Sequence, residues 1–196
     1  GMDLSPNEVE QYSNLMSESQ YMVAADTLNS VNIPPTCRFL DVGGGKGTFV
    51  GELSKTYPKV DAAVFDLPGS HPENAEHTCI IGSFKEDELP KGYDVISLVR
   101  ILYDHRDKTI ESLLAKVHRA LGSGGRLIVS EPMLGPDRPS IWGDVYFAIY
   151  TLAMRTGKTR SPNQVSDLIK AAGFVDIKIH KSRRPFITTV IEARKS

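Results

Sequence analysis

The segment between positions 41 and 49 concentrates residue types that bind a small charged ligand. It reads Asp41-Val42-Gly43-Gly44-Gly45-Lys46-Gly47-Thr48-Phe49 and continues a short apolar run. Glycine allows a tight turn and the close approach of a ligand to the main chain, and a helix that starts behind such a turn presents unpaired amides. The segment therefore predicts a strand, a ligand-binding loop and a helix in succession.

A second acid follows the next apolar run. Asp66 lies at the predicted end of the second strand, where a carboxylate can accept hydrogen bonds from both hydroxyls of a ribose. The alternative is that Asp66-Leu67-Pro68-Gly69 is only a turn and that the glycines serve only the backbone. Because both acids lie at the ends of successive predicted strands, the combination favours an adenosyl ligand.

Two cofactor classes compete for a glycine loop of this kind. The dinucleotide fingerprint requires a small residue three positions after its second glycine, but Thr48 or Val50 stands there, depending on where the pattern starts. The spacing Asp41-x-Gly43-x-Gly45-x-Gly47 instead resembles the loop of S-adenosylmethionine-dependent methyltransferases. That resemblance implies S-adenosylmethionine as the cofactor, with the acid facing the amino group of its methionine moiety.

The elements that must position these residues have an α/β pattern. Short apolar runs predict five strands, which alternate with helices predicted at 48–57 and 107–121; the strands are at 38–42, 60–65, 79–81, 93–99 and 126–130. Such alternation is typical of crossover units on a parallel sheet. Runs at 174–180 and 186–191 predict two closing strands in a hairpin.

Three further helices are predicted from caps and periodicity. One begins at the cap Ser5-Pro6-Asn7-Glu8 and ends before Ile33-Pro34-Pro35, one covers 142–153, and one begins at Ser161-Pro162-Asn163-Gln164. We expect residues 1–36 to form a helical lead-in and residues 37–196 to form the cofactor-binding domain.

Composition limits the classes of function. The 196 residues fit one domain, and 23 basic against 24 acidic residues give a net charge of -1, without the positive field that nucleic acid binding requires. The apolar stretch 93–103 contains Asp94 and Arg100 and is too short to span a bilayer. The two cysteines match no zinc or disulfide pattern. We therefore expect a cytoplasmic protein with no nucleic-acid partner, no membrane segment and no metal.

Several segments together resemble the small-molecule O-methyltransferases that include the plant caffeate and hydroxyindole enzymes and their bacterial relatives. Besides the glycine loop they are Asp66-Leu67-Pro68, Ile81-Gly82-Ser83-Phe84, Val129-Ser130-Glu131-Pro132 and Ala171-Ala172-Gly173-Phe174. The resemblance implies a Rossmann-like class I methyltransferase fold with a mostly parallel seven-stranded sheet flanked by helices. It also implies a homodimer formed through an N-terminal domain absent from this chain, to which residues 1–36 would connect.

The resemblance also implies which residues contact the cofactor: Asp41, Gly43, Gly45, Gly47, Asp66, Leu67, Ser83, Phe84 and Arg100. Ser83 stands where the family usually has an acid that contacts the adenine amino group. Arg100 is expected to bind the cofactor carboxylate; the alternative is a solvated charge at the end of a strand.

The catalytic segment departs from the family. Where the family has Leu-His-Asp-Trp, with the histidine as general base for a phenol, this chain has Leu102-Tyr103-Asp104-His105, and Thr159 replaces the acid that orients that base. We expect His105 to be the base because its unperturbed pKa is near neutrality. Tyr103, Asp104 and Glu131 are expected to orient it. The alternative is that His105 is a loop histidine without a chemical role.

Three segments together most resemble the bacterial hydroxyneurosporene O-methyltransferases: Ile101-Leu102-Tyr103-Asp104-His105, Gly82-Ser83-Phe84 and Gly143-Asp144-Val145-Tyr146. That resemblance implies an apolar acceptor, the tertiary hydroxyl of an acyclic carotenoid. Two alternatives remain open: a cofactor-binding module without turnover, and an O-methyltransferase that acts on a phenolic or polyketide metabolite.

Overall fold

The computed structural model describes residues 19–70, 75, 77–135, 149 and 157–196. The start of the first predicted helix, up to residue 18, lies outside this part of the chain. So does the helix predicted at 142–153, except for position 149.

A seven-stranded sheet forms the centre of the molecule, as predicted. Its strands are β1 (Arg38–Val42), β2 (Asp61–Asp66), β3 (Thr78–Ile81), β4 (Tyr93–Val99), β5 (Leu121–Glu131), β6 (Phe174–His180) and β7 (Thr189–Lys195). Their order across the sheet is β3-β2-β1-β4-β5-β7-β6. The first five strands are parallel, and β7 runs antiparallel to both β5 and β6. The sequence-based expectation of a mostly parallel sheet closed by a hairpin is confirmed.

The strand order reverses at β1, which pairs with β2 on one side and β4 on the other. In open parallel sheets, ligands bind at such a switch point, outside the carboxyl ends of the strands. Every strand end that the sequence analysis marked as functional, from β1 to β5, lies along this one edge because the five strands point the same way.

The described helices are α1 (19–30), α2 (Thr48–Thr56), α3 (Asp107–Ala120) and α4 (Pro162–Ala171). The predicted cap of α4 is present as a complete capping box, in which Ser161 Oγ accepts the Gln164 amide and the Gln164 side chain accepts the Ser161 amide. Two residues of the chain's own sequence therefore fix the start of α4.

The core is divided by the sheet into two layers. On one face α1 and α2 bury Val23, Phe49 and Leu53 against Phe39 and the valines of β4. On the other face, α3 and α4 pack against the apolar residues of β4 that point to this face and against apolar residues of β1, β2 and β5. The buried residues that the two helices contribute to this layer are mainly Ile110, Leu113, Leu114, Val117, Val165 and Ile169. The result is a sheet flanked by helices on both faces, which is the predicted fold class.

Two strands, β5 and β7, begin several residues from their predicted starts. β5 begins at Leu121, because residues before the predicted start at 126 already pair with β4 at Tyr93, past an irregularity in register. β7 begins at Thr189, not at Phe186, because the amides of Ile187 and Thr188 bond to the Arg184 carbonyl and form a turn. Phe186 is exposed on that turn. Within the described ranges, no helix is both long and apolar enough to cross a bilayer.

Candidate cofactor and catalytic site

The glycine loop takes a conformation that its sequence requires. Gly43, Gly45 and Gly47 have φ angles of 73°, 55° and 79°, the left-handed region that favours glycine. A Cβ atom on Gly44 would collide with Asp41 Oδ2. The loop therefore lies directly over the end of β1, and Gly47 forms the N-terminal boundary of α2.

Asp41 is fully buried beneath this loop. Its Oδ1 accepts a hydrogen bond of 2.6 Å from Ser97 Oγ of β4, whereas its Oδ2 has no partner among the described residues. Burial raises the pKa of the Asp41 carboxyl to about 7, and the charge of Asp66 acts in the same direction, although the Ser97 bond opposes both. An unpaired, buried carboxylate oxygen of this kind is suited to a cationic donor such as an ammonium group.

Asp66 joins the end of β2 to the glycine loop. Its Oδ2 accepts the Gly45 amide at 2.7 Å, and its Oδ1 accepts the Leu67 amide at 2.6 Å and the Ser70 hydroxyl at 3.2 Å. Leu67 beside it has 52% of its surface exposed. The structure thus brings the two acids of the sequence motif to one loop and leaves an apolar side chain exposed next to the second.

The segment after β3 contributes Ser83 and Phe84. The Ser83 amide donates to Asp87 Oδ2 at 2.8 Å, so a carboxylate that the sequence analysis did not single out lies at this turn. Lys116 of α3 is buried and donates to the main-chain oxygens of Phe84, Lys85 and Asp87 at 2.7 to 3.2 Å. The sequence offered no signal for Lys116, because its helical position is remote from this turn.

Arg100 lies at the end of β4 with a φ of 60°, unusual for a residue other than glycine. Its guanidinium donates to Ser19 Oγ at 2.8 Å and to Gln20 Oε1 at 3.5 Å, so it links the sheet edge to the start of α1. Its expected contact with the cofactor carboxylate stays a prediction.

The turn that follows β4 carries the predicted catalytic residues. It is a single 3-10 turn, Leu102–Asp104, followed by His105 in extended conformation. Glu131 at the end of β5 lies below it, fully buried, and accepts the amides of Ile101 and Leu102 at 2.7 Å and that of Tyr103 at 3.4 Å. Burial raises the pKa of Glu131 to about 8, although these three amides favour its charged form. Glu131 therefore orients the turn through its backbone.

Tyr103 and Asp104 differ in their accessibility. Tyr103 is buried, in a small cavity shared with Pro132, Met133 and Val165. Asp104 is half-buried, and burial raises its pKa to about 6, an effect opposed by the charge of Arg100 and a hydrogen bond from Tyr103. Tyr103 is thus a packed residue that contacts its neighbour, which fits an orienting role better than that of a base.

His105 is half-buried and contacts the segment that follows β3. Its ring meets the Phe84 ring edge to face, with centroids 5.3 Å apart. Phe84 in turn lies 4.0 Å from the position of a Cβ on Gly43. Burial lowers the pKa of His105, and the positive charges of Lys85 and Arg160 lower it further. The lowered pKa favours the neutral imidazole, and Phe84 both contacts His105 and approaches the glycine loop at Gly43.

Thr159 is half-buried in the segment that leads into α4. Its neighbour Arg160, which the sequence analysis did not single out, is buried and donates to the main-chain oxygens of Leu102 and His105, in the turn that carries the predicted catalytic residues. Among the residues described, no three His, Cys, Asp or Glu side chains are grouped so that they could hold a metal ion.

A family model described as an O-methyltransferase domain matches residues 2–175. Demethylspheroidene O-methyltransferase of Rhodobacter capsulatus is 47% identical over 190 residues, which are 95% of this chain and 48% of that protein. The protein of the same name from Cereibacter sphaeroides is 41% identical over 198 residues, 96% of this chain and 52% of that protein. The chain thus spans about half the length of these curated relatives.

Solved structures share the fold. Human N-acetylserotonin methyltransferase in complex with S-adenosylmethionine superposes with a TM-score of 0.86 at 27% identity, covering 98% of this chain and 57% of that chain. Mitomycin 7-O-methyltransferase superposes with a TM-score of 0.88 at 19% identity, covering 98% of this chain and 58% of that chain.

Proposed function

Because the chain belongs to the O-methyltransferase domain family, we propose that it binds S-adenosylmethionine at the carboxyl edge of the sheet and transfers a methyl group to a hydroxyl of a small apolar molecule. S-adenosylmethionine is the methyl donor of this family, and relatives have been solved with it or with its product bound. For the acceptor we propose the tertiary hydroxyl of an acyclic hydroxycarotenoid such as hydroxyneurosporene. Two relatives at 47% and 41% identity are named for demethylspheroidene, which supports an acceptor of the carotenoid class.

The single observation that carries the cofactor proposal is the environment of the Asp41 carboxylate. Its Oδ2 is buried, unpaired among the described residues and directed at the space that a side chain on Gly44 would fill. The ammonium group of a methionine moiety would supply the missing donor. Asp66 at the next strand end would then exchange its bond to the Gly45 amide for the ribose hydroxyls, and the exposed Leu67 would contact the adenine side of the ligand.

The bound cofactor supplies an electrophilic methyl group, so the chain itself must hold the acceptor oxygen in line and remove its proton. His105 is the group suited to the proton, because its lowered pKa keeps the imidazole neutral and able to accept. An aliphatic alcohol is a weak acid, so its proton leaves as the new bond forms. Tyr103, Asp104 and Glu131 would fix the turn that presents His105.

The test uses the full-length protein with three acceptors, hydroxyneurosporene, demethylspheroidene and a phenol. We expect methyl transfer to the carotenoids, and His105→Gln should lower turnover by roughly 10² to 10⁴ with little change in affinity for S-adenosylhomocysteine. His180→Gln, the same substitution at the far edge of the sheet, is the matched control. If His105→Gln is as active as wild type, the base is another group.

Other outcomes separate the remaining possibilities. Tight cofactor binding without transfer to any acceptor would indicate a binding module. Transfer to the phenol alone would indicate a phenolic or polyketide acceptor. Tyr103→His combined with Thr159→Glu rebuilds the pair that the family directs at phenols. If this variant does not gain phenol methylation, the acceptor pocket decides the substrate.

For the whole protein we propose a cytoplasmic homodimer that binds no nucleic acid, with residues 37–196 as the cofactor-binding domain and residues 1–36 leading to a dimerisation domain. The greater length of the relatives supports a further domain, and the net charge of -1 supports the expectation that nucleic acid is not a partner. Light scattering should find the 196-residue chain monomeric or weakly dimeric and the full-length protein dimeric. A tight dimer of the short chain at low micromolar concentration would contradict it.

A further inference from the structure

Two sets of hydrogen bonds hold the catalytic turn, Leu102–Asp104, and the residues on either side of it. Its first two amides and that of the preceding Ile101 donate to Glu131. Its carbonyl oxygens accept from the segment before α4: the Tyr103 oxygen accepts the Lys158 amide at 2.9 Å, and the oxygens of Leu102 and His105 accept from Arg160. The conformation of the turn is therefore set by two side chains that are distant in sequence.

Arg160 is the centre of the second set of contacts. It is buried, with 3% of its surface exposed. Its Nη1 donates to the Leu102 oxygen at 3.1 Å and to the Lys158 oxygen at 2.8 Å, and its Nη2 donates to the His105 oxygen at 2.8 Å. Nε and Nη2 both donate to Asp107 Oδ1, at 2.8 and 2.6 Å. The planar guanidinium thus spans the turn from its first residue to the residue after it.

Arg160 is itself fixed in place. Its main-chain oxygen accepts the Leu134 amide, from the segment after β5, at 2.9 Å. Asp107, which pairs with it, lies in the first turn of α3. Arg160 is therefore held both to the start of α3 and to the segment after β5, and it binds the main-chain oxygen of His105. A lysine could not reproduce this, since an ammonium lacks the fixed fork that reaches two carbonyls and a carboxylate together.

We propose that Arg160 is a positioning residue for methyl transfer, which holds His105 in its reactive place by binding the carbonyl oxygens at both ends of the catalytic turn. This inference rests on the proposed role of His105 as base. Position 159 is a threonine where the family has the acid that orients the base. In this chain the neighbouring Arg160 would orient the base instead. Arg160 acts through the backbone and touches neither the acceptor nor the methyl group.

The effect of Arg160 on the pKa of His105 can be distinguished experimentally from its effect on the position of the turn, because a second cation also acts on that pKa. Lys85, from the segment after β3, and Arg160 both lower its pKa, and only Arg160 bonds to the turn. The carboxylates nearest in sequence are Asp104 within the turn and Asp107, which is held by Arg160 and Lys158. Lys85 is exposed, so its removal changes the charge near His105 and leaves the turn intact.

The experiment measures kcat, the pH profile, the imidazole pKa of His105 by NMR and the affinity for S-adenosylhomocysteine in the full-length protein. Arg160→Lys should lower kcat by roughly 10- to 100-fold at the pH optimum and keep cofactor affinity within about twofold. Arg160→Gln should lower kcat similarly and also raise the imidazole pKa. Lys85→Gln should raise that pKa without lowering kcat at the optimum.

Several results would overturn the proposal. One is wild-type kcat in Arg160→Lys; another is a parallel loss of cofactor affinity and kcat, which would mean that Arg160 supports the fold as a whole. If Arg160→Gln does not fold, Arg160→Lys and the milder Asp107→Asn, which weakens the anchor of the guanidinium, still decide the question. The two proposals fail separately, because full activity in His105→Gln contradicts the base and full kcat in Arg160→Lys contradicts the positioning role.

Discussion

Replacing Asp41 by Asn removes the charge on which the cofactor proposal depends and keeps the shape of the side chain. In the wild type, burial holds the pKa of Asp41 at about 7, so the ionised form that attracts an ammonium is half populated at pH 7. As the pH falls below 7, binding of S-adenosylhomocysteine should weaken by about fivefold over the first unit and about ninefold over the second, and the loss approaches tenfold, or about 1.4 kcal/mol, per unit. From pH 7 to pH 5 the expected loss is about 50-fold.

Asp41→Asn should abolish this dependence on pH. At pH 8 it should also weaken binding by about 1.5 to 3 kcal/mol, the usual contribution of a hydrogen bond to a charged group. Isothermal titration calorimetry with S-adenosylhomocysteine from pH 5 to 8 measures both effects. Asp176→Asn is the matched control, because Asp176 is exposed on β6 at the opposite side of the sheet.

The pH should affect stability in the opposite direction to affinity: as the pH rises, ligand binding strengthens but the free energy of unfolding of the wild type falls. A carboxyl whose pKa is raised in the folded state, from 3.8 to about 7, binds its proton more tightly when folded. Its stabilising contribution is therefore complete below about pH 4 and is lost as pH rises through 7, a loss on the order of 4 kcal/mol. Asparagine carries no such penalty, so the variant without ligand should unfold at a higher temperature than wild type at pH 8.

Two results would refute this reasoning. Affinity of the wild type that does not vary between pH 5 and 7 would mean that Asp41 is not the group that meets the ammonium. Equal affinity in Asp41→Asn and wild type at pH 8 would remove Asp41 from the site altogether.

Two further variants test the supports of the cofactor site. Asp66→Ala should weaken binding of S-adenosylhomocysteine by about 1 to 3 kcal/mol through the loss of charge-assisted hydrogen bonds, and unchanged affinity by calorimetry would place the ribose elsewhere. Lys116→Met should lower both the melting temperature and the affinity, because three main-chain oxygens lose their buried donor, at a cost of about 2 to 4 kcal/mol. Lys108→Met, at an exposed position of the same helix, is its control, and equal melting temperatures of the two variants would exclude the support role.

The local sequence determined the elements and the motif that lies between them. Alternation and apolar runs predicted the strands because burial imposes a period on each element, and the cap of α4 was readable because Ser161 and Gln164 are three residues apart. The spacing of Gly43, Gly45 and Gly47 was informative because a left-handed φ angle depends on the residue itself, and glycine is the residue that adopts it most readily. Asp41 and Asp66 were found because both lie at the ends of strands.

Tertiary structure alone decided how these residues are supported. The turn at Ile187 and Thr188 places the start of β7 later than predicted. It depends on hydrogen bonds from these two amides to the Arg184 carbonyl, which no sequence pattern indicates. The direction of Glu131 toward the amides of the turn, and the pKa of Asp41, follow from complete burial between strands and helices.

The roles of Lys116 and Arg160 could not be predicted from the sequence. Each is a cation in an unremarkable helical or loop segment, and each binds carbonyl oxygens of a turn about 30 or 55 residues away in the chain. A charged side chain is expected at the surface unless its partners are known, and those partners are main-chain atoms with no residue identity. The sequence records which side chains are available, whereas only the packed sheet brings main-chain acceptors within their reach.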